Sequence, residues 1–277
     1  LYDTYIKNTL LTKDFPAFVE EYTQSLRKKK KKTFRKSLTK EESNYENILS
    51  SLPWFEPRES QKTMADIVDK NLKNEQKILI EAPTGTGKTL AYLIPAVLYA
   101  KQTGSQICIA TSTKILQDQI YTKDLQFLSE VLPFSLHYTK LKGRNNYLSI
   151  EAFLEWIELH EKFSGIMMSF CLKIALWSIQ SFDGELSELN YYGEEYAFLQ
   201  EVHAWDGRNL EIDGIYKDFE FFLLAKKRAS QSDIIITNTH VLLQDVIWDK
   251  SWVARIPHLI IDEAHSLEDI VTSSLQK

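Results

Sequence analysis

Residues 77–90 read Lys77-Ile78-Leu79-Ile80-Glu81-Ala82-Pro83-Thr84-Gly85-Thr86-Gly87-Lys88-Thr89-Leu90. A short apolar run, Ile78–Ile80, enters a glycine-rich turn, and a helical pattern leaves it from Lys88 to about Tyr99. Gly85 and Gly87 allow backbone conformations that turn successive N–H groups toward one anion. The helix beginning at Lys88 adds the positive end of its dipole at the same place. Strand, turn and helix in this order are what a phosphate-binding loop requires, with Thr84, Gly85, Thr86 and Gly87 as its cradle. Lys88 then reaches the β- and γ-phosphates of a nucleotide, and the Thr89 hydroxyl is placed to hold Mg2+. The position of the usual first glycine is Ala82 here, so the flanking strand and helix, rather than that glycine, carry the assignment.

Outward from this loop the chain alternates short apolar runs with helical patterns. A helix is predicted over Ser60–Leu72, a second run over Ile107–Ala110, and a helix from about Thr113 to Val131. Two more runs follow late, Ile234–Ile236 and Leu259–Ile261. Short apolar runs joined through helices describe parallel strands covered on both faces. Residues 151–220 break this rhythm: Phe153, Trp156 and Ile157, then Ile174, Leu176 and Trp177, recur at helical spacing without a strand-like run. The expected organisation is an α/β lobe over 53–150 and 221–277, interrupted by a mostly helical insertion over 151–220. A helical and basic connector, 1–52, precedes the lobe; it holds the run Arg27–Lys32, either a solvated connector or a contact for a phosphate backbone.

Residues 257–265 read Pro257-His258-Leu259-Ile260-Ile261-Asp262-Glu263-Ala264-His265. An apolar strand ending in two carboxylates puts negative charge at the carboxyl edge of the sheet, where open α/β proteins bind ligands. Asp262 there can hold Mg2+, and Glu263 can orient and deprotonate the water that attacks a γ-phosphate. His265 either couples nucleotide state to nucleic acid or caps a helix. Lys88 and Asp262 lie 174 residues apart. A strand–helix unit takes roughly 30 residues, so about 70 are surplus to a compact lobe, and the insertion accounts for them.

Composition bounds the rest. The 277 residues carry a net charge of −5, with 44% apolar and 26% charged residues, ordinary for a globular chain. Residues 1–50 hold eleven Lys/Arg against seven Asp/Glu, whereas 151–220 hold four against fifteen. No apolar run approaches the roughly 20 residues that cross a bilayer, and no secretory signal opens the chain. Cys108 and Cys171 are the only cysteines, too few for a disulfide framework and suited to a reducing cytoplasm.

Together the two motifs resemble those of superfamily 2 helicases, and their surroundings resemble the DinG/XPD branch. The resemblance covers about 53–150 and 220–277. Trp54-Phe55-Glu56-Pro57-Arg58-Glu59-Ser60-Gln61 is similar to that branch's adenine-recognition segment, which implies that Gln61 bonds adenine, Arg58 supports it and Phe55 stacks. Thr111-Ser112-Thr113-Lys114-Ile115-Leu116-Gln117 resembles a segment contacting the nucleic-acid backbone, and implies such roles for Thr113 and Gln117. Lys142-Gly143-Arg144-Asn145-Asn146-Tyr147 resembles the segment before the inserted domain, with Lys142 and Arg144 toward phosphates and Tyr147 toward a base. Ile234–Leu243 is similar to the strand that follows that domain.

In many relatives the Gly-Arg-x-Asn-Tyr segment ends in the first of four cysteines binding an iron–sulfur cluster. Ser149 stands at that position, Glu220–Phe222 lacks a cysteine as well, and two cysteines cannot make a four-cysteine site. No cluster is therefore expected, and the acidic insertion is expected to brace the fold or to meet a protein partner. Trp177, Tyr191, Tyr192 and Trp205, at helical spacing, read more as core than as base platforms.

The family's second RecA-like lobe supplies an arginine finger, yet only twelve residues follow His265. The chain, which opens on Leu1, reads as an excised or processed piece: the ATP-binding first lobe of a DinG-type DNA helicase or translocase acting on single-stranded DNA, with RNA left open. The piece alone is expected to bind nucleotide and hydrolyse it poorly. Two other readings stand beside it. One is a motor lobe regulating a nuclease domain ahead of it; the other is a nucleotide-gated binding module without turnover.

Overall fold

The computed structural model describes residues 58–160, 165–204, 220–247 and 255–275, together with Ile48. They fall into two units, one drawn from 33–142 and 228–277, the other from 143–227. Phe55, Trp205 and the basic run Arg27–Lys32 lie outside the described residues.

The first unit is α/β. Helix α1 (Glu59–Lys73) buries Gln61, Ala65 and Val68, one stripe at i, i+4 and i+7. Helix α2 (Lys88–Thr103) is buried at every position from Ala91 to Ala100, so it is enclosed on all sides. Strand β1 (Ile107–Thr111) follows. A long helical stretch then runs as α3 (Lys114–Gln119), a π-helical turn (Ile120–Leu125) and α4 (Gln126–Val131). Thr113 caps it: its hydroxyl accepts from Leu116 N at 3.2 Å. Strands β2 (Tyr138–Lys140), β3 (Ile234–Asn238) and β4 (His258–Ile261) complete a sheet in the order β2-β3-β1-β4, with every pairing parallel. Ile107 sits level with Ile234 on one side and His258 on the other. Each residue of β1 and β3 is buried, as expected for strands covered on both faces. Leu93, Val97, Ile107, Ile109, Leu125, Leu128, Ile234 and Ile236 form one core. Because the strands are parallel, Thr111, Asn238 and Ile261 end at the same edge, and the chemistry gathers there.

Two strand expectations need correction. Ile78–Ile80 is not a strand of the sheet: Ile78 is 43% and Leu79 88% exposed, and only Ile80 packs on the core. No ladder hydrogen bond ties the segment to any of the described strands. Conversely β2, three residues long, was not foreseen, because Tyr138-Thr139-Lys140 carries no apolar run.

The second unit is mostly helical, with α5 (Ile150–Leu159), α6 (Gly165–Gln180), a 3-10 turn (Leu186–Glu188), α7 (Glu194–Val202) and α8 (Phe221–Ala229), which leads out of it. Phe153 and Phe170 meet Phe198 edge to face, at 6.3 and 5.7 Å between ring centres. Ser149 caps α5, its Oγ accepting from Ala152 N at 3.1 Å and donating to Glu220 Oε1 at 3.2 Å. Glu151 N donates to the same oxygen at 2.9 Å. Burial pushes the Glu220 carboxyl up to about 7. Trp177 is half-buried and donates from Nε1 to Glu188 at 3.0 Å, whereas Tyr192 is 80% exposed. Cys108 in β1 and Cys171 in α6 are both buried, and burial pushes both thiols up to about 12. Among the described residues no helix is long and apolar enough to cross a membrane.

Candidate active site

The glycine-rich loop and the acidic strand end meet. Gly85 (φ +78°) and Gly87 (φ +77°) both occupy the left-handed region, where a β-carbon is disfavoured. A β-carbon on Gly87 would also drive into the Gln61 side-chain amide, 2.9 Å from its Cδ. Thr86 Oγ1 donates to Pro83 O at 2.9 Å and closes the turn. From the first turn of α2, Lys88 Nζ lies 3.7 Å from Glu263 Oε1, and each side chain is about one third exposed. The cation and the proposed base thus share one partly solvated space.

Asp262 is held at backbone and side chain alike. Its N–H donates to Ala110 O at 2.8 Å, extending the β1–β4 ladder by one bond. Oδ1 accepts from Glu263 N at 3.0 Å, and Oδ2 accepts from the Tyr92 hydroxyl at 2.9 Å. Burial, and then the Asp262 charge, raise the Tyr92 phenol well above its ordinary value, so Tyr92 is a donor. Glu263 itself sits at φ +54°, strain of the kind that concentrates at functional turns. Ser266 secures that turn, its Oγ and N–H both donating to Glu263 O, at 2.8 and 3.0 Å. His265 Nδ1 lies 3.4 Å from Glu263 Oε2, on a side chain 79% exposed.

The residues expected at adenine contact the loop backbone instead. Arg58 donates to Gly85 O, and Gln61 Nε2 donates to Gly87 O at 3.0 Å. Gln61 is 4% exposed. Both therefore brace the cradle from α1.

The expected nucleic-acid residues separate by burial. Thr113 is exposed at the carboxyl end of β1, with its hydroxyl engaged in the cap. Gln117 is fully buried, its amide donating to Leu141 O at 2.9 Å and Ile236 O at 3.0 Å, so it ties strands together and presents nothing to a strand of nucleic acid. Lys142 is 3% exposed and paired with Asp118 at 2.9 Å, which removes it from phosphate contact. In the inserted unit, Tyr147 is 1% exposed and packs 5.7 Å from Phe222, so it is not a base platform. Arg144 lies over the Phe222 ring at 4.9 Å and is half-buried. Polarity made these side chains look available; each pairing or burial depends on residues distant in sequence. Tyr92 and Asp118 were missed for the same reason. The spacing of Tyr92, three residues after Thr89 on one helix face, was the only signal.

The oxygen set suits magnesium. Thr89, in the first turn of α2, and Asp262, which accepts from the Tyr92 hydroxyl of the same helix at 2.9 Å, supply hard oxygen donors. Among the described residues no three His, Cys, Asp or Glu side chains gather as a cage. A nucleotide-dependent site needs none, because Mg2+ keeps waters and phosphate oxygens as ligands.

Comparison with known proteins agrees with this geometry. Residues 58–162 match the DEAD/DEAH box helicase family. The chain is 34% identical over 230 residues to the ATP-dependent DNA helicase YoaA of Escherichia coli, covering 81% of this chain and 35% of that protein. It is 33% identical over 238 residues to the 3'-5' exonuclease DinG of Bacillus subtilis, covering 85% of this chain and 25% of that one. The YoaA of Haemophilus influenzae is 32% identical over 229 residues. The chain thus spans a quarter to about a third of the relatives' length. On these matches, and on the approach of its phosphate loop to Asp262-Glu263-Ala264-His265, the α/β unit is a RecA-like lobe of the DEAD/DEAH box helicase kind, similar to the matched parts of YoaA and DinG.

Proposed function

We propose that this lobe binds Mg-ATP and, within a longer protein, couples its hydrolysis to movement along single-stranded DNA. The observation that carries the reading is the approach of Lys88 to Glu263, 3.7 Å apart in space though on motifs separated by most of the chain. Lys88 would bind the β- and γ-phosphates, over a cradle of N–H groups from Thr84 to Thr89. Thr89 and Asp262 would hold Mg2+, which when bound neutralises the phosphate charge that builds during transfer. Glu263 would exchange its ion pair with Lys88 for the attacking water and accept its proton. Arg58 and Gln61 keep the loop backbone in place, and Phe55 and Gln61 remain candidates for the base. For the strand, Thr113 and Arg144 are the candidates that stay at least partly exposed. We place the activity in the cytoplasm, and no cluster is assigned to the insertion. A second lobe bringing an arginine finger would complete the site, a contribution of about 10³–10⁵ in rate.

The name of the B. subtilis relative supports a second reading, in which a nuclease domain elsewhere in a longer protein is governed by this motor lobe. Nucleotide-gated binding without turnover is the third. Steady-state ATP hydrolysis and MgADP binding, with and without single-stranded DNA or RNA, separate them when run beside Lys88→Ala. The expected result is MgADP binding that Lys88→Ala abolishes, with little turnover by this chain. Binding that survives Lys88→Ala would remove the phosphate loop from the reading. DNA-stimulated turnover by the chain alone would remove the need for a second lobe.

A further inference from the structure

We propose that Tyr92 is a positioning residue for magnesium, orienting the Asp262 carboxylate through its phenol hydroxyl. This rests on the reading of Asp262 as a magnesium-holding carboxylate. Tyr92 is 3% exposed in a helix buried on all sides, and its hydroxyl donates to Asp262 Oδ2 at 2.9 Å. The other oxygen accepts from Glu263 N at 3.0 Å. The Asp262 backbone is itself bonded to Ala110. The carboxylate plane is therefore determined by two donors from two different elements, α2 and the turn after β4. The hydroxyl thus holds one oxygen donor assigned to the metal from outside its coordination sphere, an arrangement of the kind that sets ligand orientation. A buried tyrosine needs an acceptor in any case. The distinguishing feature is that its acceptor is the carboxylate proposed to hold the ion, fixed at its other oxygen by Glu263 N.

Tyr92→Phe removes the hydroxyl and keeps the ring, so packing is preserved. The test is the affinity of N-methylanthraniloyl-ADP for the 277-residue chain, measured by fluorescence across a Mg2+ titration and in excess chelator. Wild type, Tyr92→Phe and Asp262→Asn are compared. If the inference holds, Tyr92→Phe raises the half-saturating Mg2+ concentration about tenfold or more, the usual scale for an outer-shell partner. Its chelator-side affinity should match wild type. A merely structural role predicts an equal loss with and without Mg2+, and that result would overturn the proposal. So would a Mg2+ response in Tyr92→Phe identical to wild type while Asp262→Asn shifts it. If Asp262→Asn also leaves the Mg2+ response unchanged, the assignment of Asp262 fails first, and the inference with it.

Discussion

Replacing Gly87 with alanine separates two costs that the structure predicts. At φ +77° an L-residue is strained whatever its surroundings, at about 1–2 kcal/mol. The added β-carbon also runs into Gln61, whose amide is the flexible end of a buried side chain and can move aside. Moving it forfeits the 3.0 Å bond to Gly87 O, a further cost of about 1 kcal/mol. Gly87→Ala should therefore destabilise the lobe by about 2–3 kcal/mol. In a Gln61→Ala background the collision is absent and only the backbone strain remains, about 1–2 kcal/mol. Urea unfolding of the four proteins in this cycle measures the difference, a coupling of about 1 kcal/mol. Equal costs of Gly87→Ala in both backgrounds would refute the argument that α1 braces the phosphate loop through Gln61.

Gln117→Ala should destabilise the lobe by about 1–3 kcal/mol, since it removes two buried bonds to Leu141 O and Ile236 O. Its effect on MgADP affinity should be small, and chemical denaturation beside a binding titration checks both. Glu220 has a folded pKa raised to about 7 by burial. The folded state thus keeps its proton after the unfolded chain has lost it, so stability is fullest below the ordinary carboxylate range and falls as pH rises toward about 7. Glu220→Gln should match wild type near pH 4 and exceed it near pH 8 by an amount on the order of 3 kcal/mol, read as a difference in denaturation midpoints. A pH-independent gap would remove the buried carboxyl as its source. Cys108 and Cys171, with thiols pushed up to about 12, should resist a thiol reagent such as dithionitrobenzoate at pH 8 until denaturant is added. Rapid labelling of the native chain would contradict their burial.

How much could be read in advance depended on how local each determinant was. The glycines that need positive φ, the lysine and threonine at a helix start and the carboxylate pair at a strand end all act within a few residues of themselves. Their order along the chain therefore specified an α/β lobe with its loop and acidic motif. The apolar runs at Ile107 and Ile234 marked strands for the same reason, since a strand buried on both faces must be apolar throughout, and the run at Leu259 marked the less buried β4. The helical periodicity of 151–220 marked its helices in the same way. Tertiary structure decided what depends on partners. The strand order β2-β3-β1-β4 and the exclusion of Ile78–Ile80 from the sheet follow from which edges pair, a matter of ladder bonds between distant segments. Gln117, Lys142 and Tyr147 looked like surface contacts because polarity is visible in a sequence, whereas a carbonyl, Asp118 or Phe222 waiting to satisfy or bury that polarity is not. The clearest case is Tyr92, an unremarkable core position on α2 until folding brings Asp262, 170 residues away, to within 2.9 Å of its hydroxyl.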